Sequence, residues 1–225
     1  MISIKNLSKS FGKKDVLSDI NLSLEKGKVY GIVGKNGAGK TTLFRCLSGL
    51  EKHSGEVESE YSNLKNHMGL LETNPVFLSR ITGWEYLKLI CTARNIKEDD
   101  FKSQNIFNLP LNQYAETYST GMKKKLALLG VLLQKNEVFI LDEPFNGVDI
   151  QSNIIIVQLI KKLRSLNKII LISSHIFSTL SSTCDKIFLL DNGSIIKGLT
   201  PENFNALEKE LKNEMISDKL DALNL

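Results

Sequence analysis

The sequence predicts an α/β fold with a mostly parallel sheet, and three observations carry that prediction. The runs "KVYGIVG", "EVFIL", "KIILIS" and "KIFLL" have the length and the β-branched content of buried strands. Helical stretches or turns separate them, and strands that alternate with helices imply parallel pairing, with ligand sites at the carboxyl ends of the strands. The first 24 residues read differently. Apolar and polar residues alternate there, at Ile2, Ile4 and Leu7 and again at Ile20, Leu22 and Leu24, which predicts half-buried N-terminal antiparallel strands.

Each element follows in order. Glu25, Lys26 and Gly27 make a turn into "KVYGIVG". Helical spacing begins after Lys40 and stops at Gly49. From about Thr82 to Leu133 the pattern is mostly helical, with a polar and irregular middle at residues 94–116. Thr200, Pro201 and Glu202 read as a helix start, and Phe204, Leu207 and Leu211 form one stripe behind it.

Bulk properties exclude several classes. A chain of 225 residues with 42% apolar and 24% charged content buries a core as one domain, with room for a subdomain. The net charge of +4 is too small to argue for nucleic acid, and no basic block carries interleaved aromatics. Cys46, Cys91 and Cys184 are scattered and never form a C-x-x-C pair, which suits a reducing compartment and not a metal centre. The start has no signal-peptide core, and no apolar run is long enough to span a bilayer. These features predict a soluble, cytoplasmic chain able to sit on a membrane partner.

Two stretches invite a phosphate. "GKNGAGKTT", residues 34–42, fits G-x-x-x-x-G-K-[ST] between a strand and a helix, the context that pattern requires and the mark of a P-loop NTPase core. Gly34, Gly37 and Gly39 let the backbone curl, so that N–H groups of the loop, Lys35, Asn36 and Ala38 included, turn towards phosphate oxygens. Lys40 adds a cation, Thr41 a hydroxyl for Mg²⁺, and Thr42 continues the helix start. "VFILDEP" delivers Asp142 to the end of a buried strand, where it can hold Mg²⁺ through water. Glu143 follows, where a carboxylate can orient and deprotonate the attacking water. "LISSHIF" ends a further strand at His175, which could hydrogen-bond a γ-phosphate. The second stretch is "YSTGMKKKL". Ser119 can cap a helix there, Thr120 and Gly121 leave its backbone approachable, and three lysines follow at once.

Taken in order, "GKNGAGKTT", "YSTGM", "VFILDEP", "NGVD" and "SSH" resemble the ATP-binding cassette family over residues 2–201. The resemblance implies an ATPase domain at 1–200, with its core at 1–72 and 130–200, a helical subdomain inserted at about 73–129, and a helical tail at 201–225. It implies ATP and Mg²⁺ as cofactors, Phe11 stacked on adenine with Val16 nearby, and residues 146–149 touching the other half of a dimer. "YSTGM" resembles the family's signature, usually Leu-Ser-Gly-Gly-Gln, which binds ATP held by the opposite subunit. The two phosphate seats would then serve two different ATP molecules in a head-to-tail dimer. Thr120 and Met122 depart from that signature. The glutamine of the loop joining core to subdomain is absent, with Glu72 or Thr73 in its place as the group near the metal. Similar variants recur in bacterial exporter-type cassettes, which points to a subunit powering a multi-span membrane permease docked near Phe77 to Trp84. A soluble cassette ATPase of cofactor assembly is the alternative.

Overall fold

The computed structural model describes residues 1–174 and 177–209. In chain order its elements are β1 (Ile2–Phe11), β2 (Lys14–Leu24), β3 (Lys28–Val33), α1 (Lys40–Leu47), β4 (Ser54–Ser59), β5 (Met68–Leu71), α2 (Gly83–Ala93), α3 (Thr120–Leu133), β6 (Val138–Asp142), α4 (Ile150–Ser165), β7 (Ile169–Ser173), α5 (Phe177–Thr183), β8 (Lys186–Asp191) and β9 (Ser194–Leu199). The N-terminal alternation folds as an antiparallel pair, with Ile2 opposite Leu24 and Ile4 opposite Leu22, and β4 extends it on the other side of β1. The second sheet runs β5-β6-β7-β3-β8-β9, with every pairing parallel except that of β8 with β9.

The continuous apolar runs have a direct cause. Strands β6 and β7 are buried at every position, because a different core covers each face of the sheet. Phe139, Leu141, Ile170 and Ile172 pack with Leu126 and Leu129 of α3 and with Ile156 and Ile160 of α4. Val138, Ile140, Ile169 and Leu171 point the other way, onto Phe44 of α1 and onto Ile4 and Leu7 of the first sheet. Parallel strands so sandwiched end together, which places the residues after β3, β6 and β7 side by side.

Three strands escape a sequence reading. Strand β4 is SGEVES, with no buried position, and is held by pairing with β1. Strand β5 is only four residues long and carries Gly69, whose added Cβ would lie 2.2 Å from the Asn136 amide nitrogen. Strand β9 is an edge. The segment between α2 and α3 also differs from expectation. It is irregular, yet it buries Phe101, Phe107, Leu109 and Leu111, with Phe101 edge-on to Trp84 at 5.7 Å. Thr82 starts α2 through a reciprocal capping box with Glu85. Beyond β9, Phe204 and Leu207 are buried, Phe204 perpendicular to Phe177 at 6.3 Å. Leu211, the third residue of the expected stripe, lies outside the described residues.

Cys46, Cys91 and Cys184 are free and buried. Burial pushes the Cys46 thiol up to about 11 and that of Cys184 up to about 12, and raises Cys91 as well. Since the thiolate is the reactive form, Ellman's reagent at pH 8 should label almost none of the native chain within minutes, and all three thiols in guanidinium. Rapid native labelling would show that at least one of these sites opens locally.

Candidate active site

The loop after β3 is built by close approach. A Cβ on Gly34 would sit 2.2 Å from the Leu190 carbonyl oxygen, so only glycine fits there. Gly39 occupies the cap position of α1 at φ +109°, with no side chain capping the helix. First-turn N–H groups of α1 therefore lack a side-chain acceptor, which is what an anion site needs. Lys40 is nearly buried and curls back over the loop, donating to the Gly34 carbonyl at 2.7 Å and the Lys35 carbonyl at 3.2 Å. Burial lowers its pKa, and the charges of Glu143 and Asp142 oppose that shift.

Facing this loop is a cluster of oxygens around Asp142. Its Oδ2 accepts from the hydroxyl of Thr41 at 2.7 Å and from that of Thr73 at 2.6 Å, and its Oδ1 accepts from Ser173 at 2.5 Å. Ser173 Oγ also accepts the Glu143 N–H at 2.9 Å. Glu143 has φ +51° and is the only buried residue among the described non-glycine residues with positive φ. Such a backbone costs of order 1–3 kcal/mol and persists only where its surroundings impose it. A cavity of about 240 Å³ joins these parts, lined by Val16, Asn36, Gly37, Gly39, Lys40, Thr41, Thr42, Thr73, Asp142 and Glu143.

The second helix start lies elsewhere. Ser119 caps α3, its exposed hydroxyl accepting the Met122 N–H at 3.3 Å. Neither Ser119, Thr120 nor Gly121 lines the cavity. Gly121 lies against the loop before α4, where an added Cβ would stand 2.5 Å from the Gly147 carbonyl oxygen. The lysines that follow do not form an open cationic patch. Lys124 is 1% exposed and donates to the Glu143 carbonyl at 2.9 Å. Lys125 pairs with Asp149 at 3.0 Å. Asp149 caps α4, and the Ser152 N–H together with Lys125 holds its carboxyl well below the usual range.

A family model described as ABC transporter matches residues 17–146, more than half of the chain. The chain belongs to the ABC transporter family. It is 31% identical to the lantibiotic transport ATP-binding protein SrtF of Streptococcus pyogenes, over 97% of this chain and 99% of the relative. It is 30% identical to the bacitracin transport ATP-binding protein BcrA of Enterococcus faecalis, over 97% of this chain and 75% of that one. Among solved structures, an ATP-binding subunit of an ABC transporter matches with TM-score 0.81 at 24% identity, covering 93% of both chains. The dimeric post-hydrolysis state of an ATP-binding cassette with ADP and Pi matches at 0.79 and 20%, covering 89% of this chain and 99% of the other. The fold is thus that of an ABC cassette, and the chain is an ATP-binding, ATP-hydrolysing member of the family.

Within the cassette the expected residues part company. Phe11 stands outside the cavity wall, 49% exposed, with the Lys9 ammonium 4.4 Å from its ring centre. The Glu72 carboxylate is drawn to Arg45 at 2.6 Å, while its neighbour Thr73 donates to Asp142 at 2.6 Å, so of the two linking-loop residues it is Thr73 that touches the oxygen cluster. Strand β5 ends at Leu71, and the two residues that follow it find different partners. His175 lies outside the described residues. Ser173 and Lys124 were missed. A serine ending an otherwise apolar buried strand was the signal for Ser173. Lys124 precedes Ala127, Leu128 and Val131 by three, four and seven residues, which puts it on the buried face of α3.

Proposed function

We propose that this cassette is the ATP-hydrolysing subunit of an exporter, closing head to tail with a second cassette around two MgATP and driving a separate multi-span permease. One observation carries the reading: the chain has two helix starts suited to phosphate, at Lys40 and at Ser119, and only the first lines its own cavity. The second is left for a nucleotide held by another cassette. The names of the lantibiotic transport and bacitracin transport relatives support the transport role.

In this reading the N–H groups of residues 34–42, with Lys40, hold the phosphates, and Phe11 and Val16 receive the adenine. Thr41, Thr73 and Asp142 are hard oxygen donors gathered at one side of the cavity. That fits Mg²⁺, which is usually held by one or two carboxylates together with substrate phosphates. The ion would supply charge neutralisation on phosphate oxygens. Glu143 takes the proton of the attacking water, and His175, which lies outside the described residues, is the candidate hydrogen-bond partner of the γ-phosphate. The helical subdomain, about 73–129, is inserted between core segments 1–72 and 130–200, and the cassette is peripheral on the cytoplasmic face of the membrane. No described helix is long and apolar enough to cross a bilayer.

Docking on the permease falls to the loop before α2, where Val76 is 89% and Leu78 66% exposed, while Phe77 is turned inward against Tyr86. The double variant Val76→Asp, Leu78→Asp should leave ATP binding by the isolated chain intact, since neither residue lines the cavity. In cells it should move from the membrane pellet to the supernatant. A double variant that still sediments with membranes would place the docking surface elsewhere. A wild-type chain that never sediments would favour the assembly ATPase.

A further inference from the structure

We propose that Lys124 is a positioning residue for hydrolysis: it fixes the main chain of Glu143, and it ties that residue to the helix whose start faces the partner's nucleotide. The inference rests on the reading of Glu143 as the base. Glu143 holds a left-handed backbone while buried, a conformation that needs outside support. The peptide groups on both flanks of Glu143 are held by side chains from other elements. The Ser173 hydroxyl takes the N–H at 2.9 Å, and the carbonyl receives the Lys124 ammonium at 2.9 Å, along with the Asn146 N–H of its own turn at 3.2 Å.

A lysine is an expensive choice for that carbonyl. Lys124 is 1% exposed on a face shared with Ala127, Leu128 and Val131, where an apolar residue would pack without stripping water from a charge. Burial lowers its pKa, with Asp142 and Glu143 opposing. What the lysine adds is reach and a donor. It lies five residues after Ser119, about 7.5 Å along the helix at 1.5 Å per residue. A shift of α3 on docking of Ser119 therefore carries Lys124, and with it the carbonyl of Glu143.

The test compares Lys124→Met with Lys124→Gln. Both are uncharged and similar in bulk, but only glutamine can donate an N–H to the carbonyl. A misplaced catalytic group costs up to about a hundredfold. K124M should thus lose on the order of ten- to a hundredfold in kcat with little change in KM for ATP. K124Q should restore most of that loss. In a Glu143→Gln background, K124M should cost almost nothing further, because residues acting through one another are not additive. If Glu143→Gln itself hydrolyses normally, the base assignment fails, and with it this inference. If Glu143→Gln is inactive but K124M and K124Q hydrolyse alike, or K124M lowers the residual rate of that background as much as it lowers wild type, the base stands and the positioning role falls. A K124M chain that no longer melts cooperatively would make Lys124 structural and overturn the proposal too.

Discussion

Glu143→Gln is expected to lower kcat by about a hundredfold to ten-thousandfold, the usual worth of a general base. It should leave ATP binding close to wild type. The geometry makes this substitution a clean one. Ser173 and Lys124 grip Glu143 by its main-chain N–H and carbonyl, so an amide in place of the carboxylate leaves both contacts standing. Glutamine keeps the side-chain volume and can still hydrogen-bond, but it cannot take a proton. With the γ-phosphate uncleaved, the variant should accumulate as an ATP-bound dimer, read by size-exclusion chromatography with labelled ATP. Hydrolysis within about threefold of wild type would move the base elsewhere, because the expected loss is so much larger. His175 is then the next residue to replace.

The second large effect tests the two phosphate seats against each other. Ser119→Arg sets a long side chain at an exposed helix cap, away from the cavity of its own chain. The monomer should bind ATP as wild type does, yet no dimer should form in a Glu143→Gln background. Lys40→Ala fails for the opposite reason. It removes the cation beside the loop, and the carbonyls of Gly34 and Lys35 lose a shared donor, a change worth about 1 kcal/mol to stability and far more to phosphate binding. Either variant alone should trap no nucleotide. Mixed, they make one composite site in which an intact loop meets an intact signature, and that site should retain a single ATP. Loss of monomer binding in Ser119→Arg alone would mean that the stretch works within its own chain, and the head-to-tail arrangement would fall. Gly121→Asp is a poorer probe, since any Cβ there meets the Gly147 carbonyl at 2.5 Å and disturbs the neighbouring loop.

How much of this was legible depended on whether one residue type admits one physical explanation. The strand, glycine loop and helix at residues 28–47 were readable because buried parallel strands need unbroken apolar runs and the loop needs glycine where Leu190 crowds it. Asp142 and Glu143 were readable because they end such a run. Strand β5 was not, since four residues with a glycine carry no period, and so its end did not decide between Glu72 and Thr73. The partner that Glu72 takes in the fold, Arg45, is distant in sequence. Lys123, Lys124 and Lys125 look alike in a row. Their roles separate only on the helix, where successive positions turn to different neighbours.

The contact between Gly121 and Gly147 bears on the work such a machine can do. Nothing larger than a hydrogen fits between the start of α3 and the Gly147 carbonyl, and Lys125 bridges the same two segments through Asp149. In the proposed head-to-tail arrangement both segments would meet the partner, and within this chain they are already in contact. A surface ordered in advance loses little conformational freedom on association. Less of the free energy of ATP binding would then go into shaping that interface, and a larger share would be left for moving a docked partner.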